Sequence, residues 1–182
     1  MKYPKTLAID ESPVYLRLID EADADELYEV LAEDQQHLQV FQPFARNTTR
    51  ESTDNRLKIS LQELADGTRL QYRIVIGSEA GEPKIIGNLT FYGRDKKNKA
   101  RLGYWITKPY EGKGYMFKAA QAFVDYGFNK WGLQKVELTI DANNERSQHL
   151  ARKLGAQPTG KLGIEETDGV EAEVPLWEIV NE

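Results

Sequence analysis

The residues whose types and spacing could do chemistry lie between positions 104 and 116. They read Tyr104-Trp105-Ile106-Thr107-Lys108-Pro109-Tyr110-Glu111-Gly112-Lys113-Gly114-Tyr115-Met116. A strand-like run delivers the chain to a Gly-x-Gly turn, and a helical pattern opens at Gly114. Helix starts carry unsatisfied N–H donors and partial positive charge. Glycines let such a backbone approach a phosphate closely. The chemistry this spacing suggests is the binding of a phosphate or diphosphate. It is not a Walker loop, because Gly114 follows Lys113 where Ser or Thr is required. It is not a full dinucleotide fingerprint either, because Phe117 stands where the third glycine belongs. A plain Gly-rich turn between strand and helix accounts for the same spacing.

Other polar residues have two readings at this level. Asn144 and Ser147 stand at the start of a second helical pattern, where both suit capping. Glu165 and Glu166 belong to an acidic run, so solvated charge explains them. Tyr104, Trp105, Phe41 and Phe44 read as core. His37 and His149 lie far apart in sequence, and His149 reads as a surface or helix-packing residue. No compact histidine metal site is expected. The chain has no cysteine, which removes disulfides, thiolate nucleophiles, zinc–thiolate sites and iron–sulfur clusters.

The elements that must position these residues follow from periodicity. Val14–Ile19 reads as a strand, and Asp20 as the cap of a helix with Leu27, Val30 and Leu31 on its apolar face. His37–Asn47 is apolar but aperiodic, a loop or short helix. Thr48 and Glu51 have capping-box spacing before a helix to about Ala65, with Leu57, Ile59, Leu61 and Leu64 as its apolar positions. Asp66-Gly67 ends it. Leu70–Ile76, Lys84–Tyr92 and Ala100–Thr107 form an antiparallel meander. Then come a helix over Gly114–Trp131, a strand over Leu133–Ile140, a helix over Asn144–Leu154 closed by Gly155, and strands at Pro158–Glu165 and Glu173–Val180. Ala100–Ile140 is therefore a βαβ crossover.

At 182 residues, 40% hydrophobic and 29% charged, the chain suits one globular domain spanning 1–182. A net charge of -5 argues against a dedicated nucleic-acid binder, with a local basic patch left open. No run approaches the ~20 apolar residues of a membrane helix. Met1–Asp20 has no apolar signal region, so a cytoplasmic protein is expected.

Leu102–Met116, followed by helix, strand, Asn144-Glu145-Arg146-Ser147 and Lys153-Leu154-Gly155, resembles the GNAT acetyltransferase superfamily. Within it the match is to the RimJ/RimL branch, whose members acetylate the N-termini of ribosomal proteins. The resemblance covers Ile85–Gly155 most strongly. Glu111-Gly112-Lys113-Gly114-Tyr115-Met116 stands at the family's Gln/Arg-x-x-Gly-x-Gly/Ala window. Gly114 is kept, Glu111 replaces the usual Gln or Arg, and Met116 replaces the usual small residue. The implied fold is α/β (α+β): a mixed, mostly antiparallel central sheet with helices on both faces. The implied co-substrate is acetyl-CoA, with no metal.

By the same resemblance, backbone groups of Trp105, Ile106 and Thr107 bind the pantetheine arm. N–H groups of Gly112, Lys113, Gly114, Tyr115 and Met116 hold the diphosphate. Asn144 binds a pantetheine amide, Ser147 protonates the leaving thiolate, and Lys153 approaches the adenine-side phosphate. Ala151 occupies the position of the Tyr that many members use as acid. Glu165 is the candidate base, with Glu166 as its rival and His37 ranked below. The implied activity is acetylation of a protein α-amine by direct attack on the thioester. A small-amine acceptor (polyamine, antibiotic or amino-acid derivative) and a non-catalytic CoA-binding protein are the competing readings. A homodimer is compatible with the branch.

Overall fold

In the computed structural model, residues 3–78, 81–167 and 170–181 are described, with 78, 81, 166, 167 and 170 by backbone alone. The side chain of Glu166 and residues 79–80 and 168–169 lie outside the described residues.

The chain runs β1 (Thr6–Leu7), β2 (Val14–Leu18), α1 (Ala24–Glu33), α2 (Gln35–Leu38), α3 (Arg50–Asp66), β3 (Leu70–Ser78), β4 (Gly81–Tyr92), β5 (Lys99–Ile106), α4 (Tyr115–Asn129), β6 (Lys135–Thr139), α5 (Glu145–Lys153), β7 (Gln157–Thr167) and β8 (Val170–Val180). Eight strands form one sheet in the order β1-β2-β3-β4-β5-β6-β8-β7. Every pairing is antiparallel except β5 with β6. That parallel ladder covers only Lys99–Arg101 against Lys135–Glu137. Beyond it β5 continues to Ile106 and β6 to Thr139, so the sheet opens into a slot between them.

Period-two alternation gives the sheet two apolar faces. Leu102 and Leu138 join Ala119, Phe123 and Val124 of α4 and Ala151 of α5 in one core. Trp105, Val75 and Ile85 face the other way, against Leu27, Val30 and Leu31 of α1 and Leu38 of α2. Helices therefore cover both faces, as the resemblance implied.

Several boundaries differ from the sequence reading. The cap of α3 is Thr49, in a reciprocal capping box with Ser52, and Thr48 instead donates to Ala45 O. A serine hydroxyl does the reaching back expected of Glu51. Ile59 is 57% exposed, because it sits two steps (about 200°) round the helix from buried Leu57. The expected helix from Gly114 to Trp131 is α4, Tyr115–Asn129. Trp131 follows its end yet stays buried, stacked 5.8 Å from Phe91. Gly127 is required inside α4, since a Cβ there would meet the Phe91 ring at 2.6 Å.

Asp20 caps as expected, but over a 3-10 turn, Glu21–Asp23, that precedes α1. Asp23, which reads as first-turn charge, is buried at 3% exposure. It pairs with Arg73 at 3.1 Å and Arg17 at 2.9 Å, and Arg73 is itself only 2% exposed. Asn88 Oδ1 accepts from Arg73 at 2.7 Å and from Gln71 at 2.9 Å. This network fixes the start of α1 over β3 and β4.

Candidate active site

The slot between β5 and β6 ends at the glycine turn. A 3-10 turn over Lys108–Tyr110 closes β5 and hands the chain to Gly112 and Gly114. Both have positive φ, +72° and +78°, and nothing lies within 4 Å of where a Cβ would sit. That conformation is open to glycine at no steric cost. Gly114 caps α4, whose bond from Lys118 N to Gly114 O starts the helical ladder. The N–H groups ahead of that bond point out of the helix end. Bare glycine backbone in front of a 15-residue helix fits a diphosphate. Lys113 lies exposed with its ammonium over the Tyr110 ring at 5.4 Å, and Tyr115 and Met116 pack on the core. At the far end of α5, the Lys153 ammonium sits over the Phe117 ring of α4 at 4.3 Å. That places a cation between the two helices that flank the turn.

On the slot wall, alternation sorts the backbone of β5. Thr107 N and Oγ1 both donate to Ile86 O, at 2.9 and 3.2 Å. Trp105, two residues earlier and opposite Asn88, therefore also turns its backbone to β4. Ile106 and Tyr104 face the open edge. Of the three residues expected to bind a pantetheine arm, Ile106 is the one whose backbone meets the slot. Tyr104 O accepts from Gln42 Nε2 at 3.0 Å, so the segment after α2 reaches the same edge.

Asn144 and Ser147 come together at the start of α5, where Asn144 Oδ1 accepts from Ser147 N at 3.1 Å. Capping is thus real, and it leaves the Asn144 amide nitrogen for other use. Ser147 Oγ lies 2.6 Å from the Tyr104 hydroxyl. Burial pushes the Tyr104 phenol up to about 12, partly opposed by this hydrogen bond, so it stays protonated. Tyr104 reads from the sequence as core rather than pocket, and the structure both packs it on the core and brings its hydroxyl to Ser147. Its position in the strand that feeds the turn was the available signal. Ala151 is fully buried and gives no acid from its position.

Glu165 lies on the other face of the sheet, where its carboxylate accepts a hydrogen bond from the Thr139 hydroxyl. Thr139 alternates with Leu138 and Ile140, which belong to the α4/α5 core. Nearby, Arg101 Nη1 donates to Ile164 O at 2.5 Å. Ser147 and Glu165 therefore flank the slot from opposite faces.

Glu111 turns away from the glycine turn. Its Oε1 meets His37 Nε2 at 3.0 Å, and its Oε2 accepts from the Arg146 guanidinium. His149 is exposed on α5. Among the described residues no three His, Asp or Glu side chains gather as a metal site, and no helix is long and apolar enough to cross a membrane.

Comparison with known proteins agrees with this geometry. The "Putative ribosomal N-acetyltransferase YdaF" of Bacillus subtilis (strain 168) is 30% identical over 152 residues, 81% of this chain and 80% of that one. The spermidine N(1)-acetyltransferase of Escherichia coli (strain K12) is 42% identical over 64 residues, 35% of this chain and 34% of its own. RimL, a ribosomal L7/L12 α-N-protein acetyltransferase solved with coenzyme A, superposes with a TM-score of 0.81 at 19% identity, over 96% of this chain and 97% of that one. The family model for the acetyltransferase (GNAT) domain matches residues 14–157, from the first long strand through the helix that carries Ser147. A splayed β5/β6 pair, a glycine turn ahead of α4 and a family match across both place this chain in the GNAT family of N-acetyltransferases.

Proposed function

We propose that the chain transfers an acetyl group from acetyl-CoA to the α-amine of a protein N-terminus. The observation that carries this is the slot, with the glycine turn at its end, Ser147 on one face and Glu165 on the other. The similarity to YdaF over most of both chains supports a protein acceptor of ribosomal type.

In this reading the N–H groups of Gly112, Lys113, Gly114, Tyr115 and Met116 hold the diphosphate of the co-substrate, and Lys153 serves the adenine-side phosphate. Ile106 and the Asn144 amide bind the pantetheine arm. Trp105 and Thr107 act indirectly, by locking β5 to β4 so that Ile106 faces the slot. An α-amine has a reference pKa near ~8, so an appreciable fraction is a free base at neutral pH. It attacks the thioester carbonyl directly, forming the C–N bond as the C–S bond breaks. Glu165, directly or through water, accepts the proton that the amine nitrogen sheds. Ser147 donates its hydroxyl proton to the departing thiolate, and the proton held by Glu165 returns to the Ser147 oxygen through water. Tyr104, a phenol at working pH, holds the Ser147 oxygen in place.

A second reading is supported by the segment shared with the spermidine acetyltransferase: the acceptor is a small amine. A thiol-release assay with acetyl-CoA tests both. The panel holds peptides with free Ser, Ala or Met N-termini, polyamines and aminoglycosides. Turnover on peptides alone is expected; turnover on polyamines alone transfers the assignment to the second reading. Tight acetyl-CoA binding with no thiol released from any acceptor would leave a CoA-binding protein without transferase activity toward that panel.

A further inference from the structure

We propose that Glu111 is a positioning residue that couples the two walls of the slot, so that the acceptor side becomes ordered when the co-substrate binds. This rests on acetyl-CoA lying at the Gly112–Met116 turn. A carboxylate directly ahead of that turn would repel a diphosphate if it faced the turn. Instead both of its oxygens are engaged elsewhere, and its side chain is only 24% exposed. Its two partners come from opposite walls. His37 belongs to α2, which leads into the segment 39–47. Arg146 belongs to the first turn of α5, next to Ser147.

Few polar links tie either wall to this arm, and Glu111 is the residue that reaches both. The β5/β6 ladder stops at Arg101 and Glu137, so side chains alone span the slot beyond it. Two such links are described, Glu111 with Arg146 and Tyr104 with Ser147. On the acceptor side, α2 has four residues and buries one side chain, Leu38. Its registry against the β5 arm rests on Asp34 Oδ2 accepting from Lys108 N at 2.9 Å, His37 with Glu111, and Gln42 with Tyr104 O. A short segment with few apolar contacts belongs to the low-stability end of a fold. A ligand that stills the turn stills the residue adjoining it, and Glu111 carries that order to α2 and α5. Coupling of this kind is reciprocal between the two ligands.

The test is hydrogen exchange read by mass spectrometry on the full chain with and without saturating coenzyme A. In the wild type, coenzyme A slows exchange at residues 112–118 and at 35–42, the latter by about fivefold or more. Glu111→Ala keeps the effect at 112–118 and loses it at 35–42. His37→Ala does the same, and decides the matter if Glu111→Ala does not fold. Glu111→Gln restores the response at 35–42, because its amide still accepts from Arg146 and can donate to His37. Unchanged protection at 35–42 in His37→Ala and Glu111→Ala overturns the proposal. So does loss of the effect at 112–118 in Glu111→Ala, which would make the carboxylate part of the diphosphate site. A wild type protected at 112–118 alone refutes the coupling and leaves the acetyl-CoA reading standing. A wild type unprotected at 112–118 refutes that reading itself.

Discussion

Replacing Tyr104 by Phe removes one oxygen and keeps the ring that packs beside the core. The lost contacts are the 2.6 Å hydrogen bond with Ser147 Oγ and a long one, 3.4 Å, to the Ser147 carbonyl; the short one dominates. A net hydrogen bond of this kind contributes ~0.5–1.5 kcal/mol. If its whole effect is to hold Ser147 in the donating rotamer, kcat falls about two- to thirteenfold. Removing the donor itself with Ser147→Ala removes general-acid catalysis, a loss of about a hundredfold or more. The two effects should not add. Once Ser147 is alanine, Tyr104 has nothing to position, and the double variant should match Ser147→Ala alone. KM for acetyl-CoA should hold in all three, since the diphosphate turn is untouched. Because Tyr104 is a phenol until about pH 12, its removal should leave the shape of the pH–rate profile below pH 9 unchanged. The assay is steady-state thiol release, with thermal melts to confirm folding. Additive losses would refute the reasoning, because Tyr104 would then act on the reaction without Ser147. So would full activity in Tyr104→Phe.

Three further outcomes are expected. Gly114→Ala forces a Cβ into φ +78°, a left-handed strain of ~1–2 kcal/mol, and should raise KM for acetyl-CoA about tenfold while kcat holds. Asp23→Asn strips the buried Arg73 guanidinium of its counter-charge and should destabilise the fold by ~3–5 kcal/mol in urea denaturation; a loss under ~1 kcal/mol would show that Asn88 alone satisfies the guanidinium. The Tyr104 phenol sits at about 12 in the folded chain against 10.0 in the reference state, so the folded state keeps a proton that the unfolded state loses. Stability from this group is therefore complete below pH 10 and disappears as pH climbs towards 12, and the urea midpoint should fall less steeply over that window in Tyr104→Phe.

Much of the architecture was legible because it is written in short-range terms. The alternation of Val136, Leu138 and Ile140, the three- and four-residue spacing along Met116–Phe123, and the stops at Gly67 and Gly155 depend on neighbours within a turn or two. Each element except β1 was recognised, with its ends off by a few residues. The cap of α3 was misplaced by one residue because Thr48 and Thr49 offer the same hydroxyl, and Ser52 competes with Glu51 for the return bond. The two-residue strand β1 left no periodic trace.

The site was legible to the same depth. The glycine turn, the helix start with Asn144 and Ser147, and the family they point to could be taken from residue order, since each is a contiguous segment with its own backbone demand. Residue order left Tyr104 as core, Asp23 as helix-start charge and Glu111 as an unexplained carboxylate. Tertiary structure decided all three. Tyr104 meets Ser147 across 43 residues, Arg73 meets Asp23 across 50, and His37 meets Glu111 across 74. Local pattern reports how a side chain sits on its own element. What it touches depends on how the sheet opens between β5 and β6, and that opening is set by the packing of both faces at once.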